Sequence, residues 1–199
     1  MVRSRKSDEV LESARRLFLE RGYDGTTMED VAAEASVSKA TIYSNFAHKD
    51  ALLRALLERV GDEAAAILAA ATAPLEGPGP LEDRLTAVAT ALVEGVLRPE
   101  VVQLRRLAVA EAGRSPELGR AYWERGPGAT LRLLAAAFQR LADSGELAVA
   151  DPEGAADRFA YALLGPLQDR ALLAPDLAPT AAQRAAHVRS VVRRVLRDP

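Results

Sequence analysis

The stretch from Thr26 to Lys49, TTMEDVAAEASVSKATIYSNFAHK, leaves a chain few folds to choose from, because it carries two short helical periods separated by a break of three residues. Thr27 stands where an N-cap belongs, with an acid, Asp30, three residues on, and Met28, Val31, Ala32 and Ala35 then recur on one face. Ser36-Val37-Ser38 interrupts the run. Ser38 is placed to cap a second period, Lys39 to Phe46, in which Ile42 and Phe46 share an inward face at i, i+4 while Lys39, Thr41, Tyr43, Ser44 and Asn45 are left outside. The spacing predicts a helix-turn-helix. Its outer face, rich in short polar groups with one lysine and one tyrosine, offers what a major groove requires: donors that reach base edges and phosphates together. An ordinary helical hairpin with a solvated polar face would show the same pattern, so spacing by itself leaves both readings open.

More of the chain bears on the choice. From Gly22 to Leu53, GYDGTTMEDVAAEASVSKATIYSNFAHKDALL, the sequence presents in order Gly-aromatic, Thr-Thr, an Ala-containing second helix, Val-Ser, Thr-aliphatic-Tyr, Phe, Lys-acid and Leu-Leu. This resembles the N-terminal signature of the TetR family of bacterial repressors. The match departs at Ser36 and Ala40, where the family usually carries glycine, and at Asn45, where His or Tyr is common. Ser36 is the consequential one, since a turn that needs φ > 0 there is strained by a residue with a Cβ. The resemblance implies roles residue by residue: Lys39, Ala40 and Ser44 facing base edges, Met28 reaching a base from the preceding helix, and Thr27, Thr41, Tyr43, Asn45 and Lys49 holding phosphates. Elementary chemistry is compatible with that division. A lysine donates to guanine O6 or N7, an alanine methyl touches a thymine methyl, and Thr27 and Lys49 lie near helix N-termini, which favour phosphate.

Composition sets the outer limits. Among 199 residues, 49% are hydrophobic, ample for a core, and no cysteine is present, which removes disulfides and thiolate chemistry. Net charge is −2, and residues 1–50 hold eight Lys plus Arg against nine Asp plus Glu, so few phosphate contacts per subunit are expected. The basic start is followed by charged residues with no apolar core of a signal peptide, and no run approaches the ~18 apolar residues of a membrane span. A cytoplasmic protein is expected. An enzyme is not: two histidines, His48 and His187, no P-loop, no G-x-S-x-G elbow and no dinucleotide fingerprint leave nothing to build a catalytic site from. His48 is expected to cap a helix or touch phosphate, and neither a metal nor a cofactor is expected, because no ligand spacing surrounds it.

In chain order, a basic arm at Arg3, Arg5 and Lys6 precedes a helix from about Ser7 to Arg21 with Val10, Ala14, Leu17 and Phe18 as its stripe, and Gly22 stops it. After the helix-turn-helix, the pattern from Asp50 gives one long helix to about Ala71, and the loop TAPLEGPGP follows. Periods at Leu81 to Leu97, Pro99 to Gly113, Ser115 to Ala142 with a bend or break at Gly126-Pro127-Gly128, Asp151 to Leu172 and Thr180 to Leu196 complete an all-α chain of about nine helices. The expected division is a three-helix DNA-binding head, residues 1–50, and a body, residues 51–199, with 51–71 a shared connecting helix. Leu104 to Pro127, LRRLAVAEAGRSPELGRAYWERGP, resembles the C-terminal domain of AefR-like members of the same family.

For the body, resemblance to the family implies a homodimer and a small-molecule cavity beneath the long helix. Phe159, Leu163, Leu167, Val188, Val191, Val192 and Val195 are the expected seam, as a four-helix bundle shared by two subunits. Leu92, Val96, Leu104, Leu107, Trp123, Phe138 and Tyr161 are the expected apolar lining, with Arg105 or Glu111 as polar anchor. The function expected is a repressor that binds a palindromic operator in double-stranded DNA and is released by a small hydrophobic molecule. The rival is a DNA-binding regulator controlled by a protein partner or by no effector.

Overall fold

The computed structural model describes residues 5–197, except for the side chains of Arg5, Ile67, Leu68, Ala71 and Pro74. Of the expected basic arm, Arg3 and the side chain of Arg5 lie outside the described residues, as do the Ile67 and Leu68 side chains of the long helix. Within that range the chain is all-α, with no strand: α1 (Arg5–Arg21), α2 (Met28–Glu34), α3 (Lys39–Asn45), α4 (Lys49–Thr72), α5 (Leu81–Val96), α6 (Pro99–Ala112), α7 (Pro116–Arg125), α8 (Pro127–Asp143), α9 (Pro152–Leu173) and α10 (Ala181–Arg197). Short 3-10 turns occupy Ala73–Glu76 and Pro175–Leu177. The about nine helices expected become ten because, of the bend or break expected at Gly126-Pro127-Gly128, it is the break that occurs. Gly126 sits at φ −104°, ψ −101°, and Pro127, which has no N–H to give, opens α8. Pro166, by contrast, leaves α9 continuous. No described helix is long and apolar enough to cross a membrane.

The chain divides into two compact units. The first takes residues up to Asp62 together with Gln103–Arg125, so α6 and α7 pack with the helix-turn-helix. Its core joins Leu11, Phe18, Ile42, Leu53 and Leu57 to Leu104 and Leu118 from the later segment. Helices of seven residues are not stable on their own in water, so α2 and α3 depend on this packing. Burial of Ile42 and Phe46 stabilises α3 by about 1.5–3 kcal/mol each. Around the core, Arg54 pairs with Glu117 and Arg125 Nη1 with Asp62 at 2.6 Å, joining α4 to α7, while Arg114 Nη1 with Asp24 at 3.3 Å joins the α6–α7 turn to the α1–α2 turn. At the α4–α7 contact a Cβ on Gly61 would lie 2.5 Å from Arg125 Cβ and 3.0 Å from its carbonyl, so the approach of these helices requires glycine.

The second unit holds Glu63–Val102 and Gly126–Pro199, and its described core is built from α5, α8, α9 and α10. Phe138 and Phe159, centroids 5.5 Å apart, mark its centre. Arg84 is buried there. Its guanidinium donates to the carbonyls of Leu75 and Gly77 and pairs with Glu146, which ties down the segment before α5. The residues expected at a subunit seam belong to this core instead: Phe159, Leu163, Leu167, Val188, Val191, Val192 and Val195 are all buried within the single chain. Their apolar periodicity reports an intrachain face, and the side chains of α9 left outside are others, Tyr161 and Leu173 among them.

The α2–α3 turn realises the constraint set by Ser36. Ser36 N–H donates to Ala33 O at 3.1 Å and Val37 N–H to Ala32 O at 2.9 Å, the paired bonds of a Schellman C-cap, and Ser36 takes φ +54°. A side chain in the left-handed region costs about 1–2 kcal/mol, which the two satisfied carbonyls and the burial of α2 and α3 offset. Ala40, inside α3, needs no such conformation. Ser36→Gly is therefore expected to stabilise the protein by about 1 kcal/mol, raising the melting temperature by about 2–4 °C; calorimetry showing a lower value would mean that Ser36 contributes something the turn needs.

Candidate nucleic-acid interface

Two caps set the geometry of the exposed face. Thr27 Oγ1 accepts from Asp30 N at 3.1 Å, and Asp30 Oδ2 accepts from Thr27 N at 2.9 Å, a reciprocal capping box that fixes where α2 begins. The hydrogen bonds from the Thr27 hydroxyl and then its backbone N–H hold the Asp30 carboxyl below its usual range. The stability it contributes is therefore present above the unfolded value and is lost as pH falls through the lowered one. Ser38 Oγ accepts from Thr41 N at 3.1 Å and starts α3.

With Ile42 buried, α3 presents Lys39, Ala40, Tyr43, Ser44 and Asn45 outward, with Thr41 half-buried. Three of the polar groups are turned back on the helix. Ser44 Oγ and Asn45 Nδ2 both donate to Thr41 O, at 2.9 and 2.8 Å, and Thr41 Oγ1 lies 2.8 Å from Ser38 Oγ. Lys39 is the single charged residue of α3, and it meets an acid: Glu29 Oε1 on α2 lies 3.4 Å from Lys39 Nζ and 3.4 Å from the Tyr43 hydroxyl that donates to it. The Glu29 carboxyl is held below its usual range by its own backbone N–H first, with Lys39 and Tyr43 adding to the effect.

Two expected contact residues are placed otherwise. Met28 is only 5% exposed and packs in the core of the first unit, so it is not on the face that a base could reach. Lys49 Nζ donates to Tyr23 O at 2.7 Å and to Thr26 O at 2.9 Å, and lies 4.1 Å from the centre of the Tyr23 ring. The Tyr23 hydroxyl donates in turn to Asp50. Lys49 thus fastens the start of α4 to the turn before α2 instead of standing free for phosphate. His48 caps α4, its Nδ1 accepting from Ala51 N at 3.2 Å. Sequence reasoning passed over the first threonine of the pair: Thr26 is fully buried, with its hydroxyl 2.9 Å from Gly22 O and 3.2 Å from Leu17 O. The signal was available, since a hydroxyl next to the helix stop at Gly22 can satisfy the last carbonyls of α1.

The expected ligand-pocket residues fall in both units. Leu92, Val96 and Phe138 belong to the core of the second; Leu104 and Leu107 belong to that of the first. Glu111 is buried, 3.7 Å from Arg114, while Trp123 and Tyr161 are exposed, at 46% and 60%. Burial pushes the Tyr122 phenol up, and the Arg105 guanidinium opposes the shift. Among the described residues no cluster of acids and histidines is placed to hold a metal.

A capped helix-turn-helix on a helical core, with a polar outer helix, defines a DNA-binding transcription regulator. The chain belongs to the TetR family. Residues 10–56 match the family described as bacterial regulatory proteins, tetR family, and residues 83–198, more than half of the chain, match the AefR-like transcriptional repressor C-terminal domain. The crystal structure of a protein assigned to the TetR family from Mesorhizobium loti superposes with TM-score 0.93 at 31% identity, covering 97% of this chain and 96% of that one. The structure of the Flavonoid-responsive Regulator FrrA does so at 0.78 and 29%, with the same coverage. Among curated relatives, the biofilm operon icaADBC HTH-type negative transcriptional regulator IcaR of Staphylococcus epidermidis is 35% identical over 51 residues, 26% of this chain and 28% of that protein. An HTH-type regulator of Bacillus subtilis is 39% identical over 59 residues, 30% of this chain and 31% of its own length. The curated likeness spans less than a third of either relative. These relatives are transcription regulators, not enzymes, and so is this chain.

Because Lys49 is bonded internally, Lys49→Ala is expected to lower stability by about 1–2 kcal/mol, as loss of charge-assisted hydrogen bonds does. The salt dependence of DNA binding should stay unchanged. Melting combined with a salt titration checks this; an intact melting temperature with a slope flattened by about one unit per subunit would restore the phosphate role.

Proposed function

We propose that the protein is a ligand-responsive repressor that acts in the cytoplasm, binds an inverted repeat in double-stranded DNA as a homodimer, and is released by a small apolar or amphipathic molecule. The observation that carries the reading is the outer face of α3, where Lys39, Tyr43, Ser44 and Asn45 are exposed while Ile42 anchors the helix from behind. In this reading Lys39, Ala40 and Ser44 address base edges, and Thr27, Thr41, Tyr43 and Asn45 hold the backbone on either side. One head makes few contacts, so a two-fold partner is what raises affinity and reads a palindrome. The described face left for a second copy on α9 and α10 holds Tyr161, Ala162, Leu173, Ala182 and Ala186.

For the effector, what supports an aromatic or polyphenolic class is the likeness at 29% identity to a regulator whose own description is flavonoid-responsive. The body would be the site, with Leu92, Val96, Phe138 and Tyr161 of the second unit as candidate contacts. A ligand preferred ~100-fold by the released state supplies about 2.7 kcal/mol per site, and operator and ligand then weaken each other by the same factor.

Selection of duplexes from a random pool by the purified protein tests the proposal. The expected product is an inverted repeat whose half-sites lie about one helical turn, roughly 34 Å, apart, bound by two chains and released when flavonoids are titrated in. Enrichment of no sequence overturns the operator reading. Enrichment without release by flavonoids or other amphipathic aromatics leaves a regulator governed by a protein partner or by none.

A further inference from the structure

The acid on the recognition face is unexpected for a surface that must meet a polyanion. Glu29 lies in the first turn of α2, where a carboxylate has an ordinary use in satisfying the helix N-terminus. That use does not require it to reach α3, yet Glu29 Oε1 is 3.4 Å from both Lys39 Nζ and the Tyr43 hydroxyl. Lys39 supplies the only charge of α3, and Tyr43 is the largest of its exposed donors. In the free protein both are therefore engaged with a carboxylate that a phosphate would have to replace.

We propose that Glu29 is a specificity-determining residue, which holds Lys39 and Tyr43 against itself and so withholds them from the phosphates of DNA at large. The proposal rests on the operator-binding role given above and adds to it a reason why one site is preferred to others. Phosphates are alike in every sequence, so an exchange of carboxylate for phosphate yields little anywhere, and the carboxylate still faces the polyanion after it is displaced. At the cognate site Lys39, whose ammonium has three N–H donors, meets a base edge while it keeps its contact with Glu29, so no exchange is needed there. Glu29 in this way lowers binding to arbitrary DNA more than binding to the operator. The contact is exposed and modest, with the side chains 71% and 44% accessible for Lys39 and Glu29, so the expected effect is on the order of fivefold per head.

The test compares the wild type with Glu29→Gln, Glu29→Asp, Lys39→Ala and the Glu29→Gln/Lys39→Ala double variant. Each is titrated by fluorescence anisotropy against the duplex that the wild type selects and against a scrambled duplex of the same length and composition. Glu29→Gln is expected to tighten the scrambled duplex on the order of fivefold per head while the selected duplex gains less, so that the ratio of the two affinities falls. Glu29→Asp, which keeps the charge but draws it back from both donors, should move the ratio the same way. In the Lys39→Ala background the gain from Glu29→Gln should shrink to less than twofold. An unchanged or increased ratio in Glu29→Gln, or a gain of full size without Lys39, overturns the assignment and leaves Glu29 as a helix-terminus acid that repels DNA uniformly. A wild type that selects no sequence overturns the operator reading, and this inference with it.

Discussion

The Lys49 ammonium is the fastening on which the DNA-binding head depends. It closes the carbonyls of Tyr23 and Thr26, which the turn between α1 and α2 leaves without helical partners, and it does so from the first residue of α4. The Tyr23 ring lies under the ammonium and stacks on Phe18 at 5.8 Å, so one cation joins the turn, α1 and α4. From that point α2 starts at a fixed place through its capping box, α2 ends in a Schellman turn, and α3 is delivered with Ile42 inward. The orientation of the recognition face follows from these ties in sequence. A helix of seven residues has no orientation of its own to contribute.

The same logic explains what was legible in the residues alone. Local devices could be read: Thr27 with Asp30, Ser38 as a cap, Gly22 as a stop, and the penalty at Ser36 all depend on neighbours within a few positions, and each is realised. The helical periods were legible for the same reason. What sequence reading misplaced depends on contacts between distant segments. Lys49 near a helix N-terminus reads as a phosphate ligand until the carbonyls 26 and 23 residues earlier come within 2.9 Å of it. Met28 reads as accessible until Leu52, Leu53 and the rest of the core close over α2. The valines of α10 read as a seam because an apolar stripe does not say whether its partner is the same chain or another; all four are covered by their own chain. That Leu104 and Leu118 complete the core of the head has no local signal at all.

The arrangement balances two demands. A reading head must bind DNA, yet the whole chain is acidic by two charges and α3 carries one lysine, which Glu29 engages. In the reading proposed above, non-specific attraction is kept low and recognition rests on a few donors of α3.

The central proposal is that α3 carries the base-reading donors, with Met28 and Lys49 serving the structure behind it. Hydroxyl-radical footprinting of the protein with and without its selected duplex measures this directly. Protection on binding is expected at Tyr43 and its neighbours on α3, with Met28 and the Tyr23 ring beside Lys49 unchanged between the two states. Protection at Met28, or on α10 with none on α3, would contradict the account.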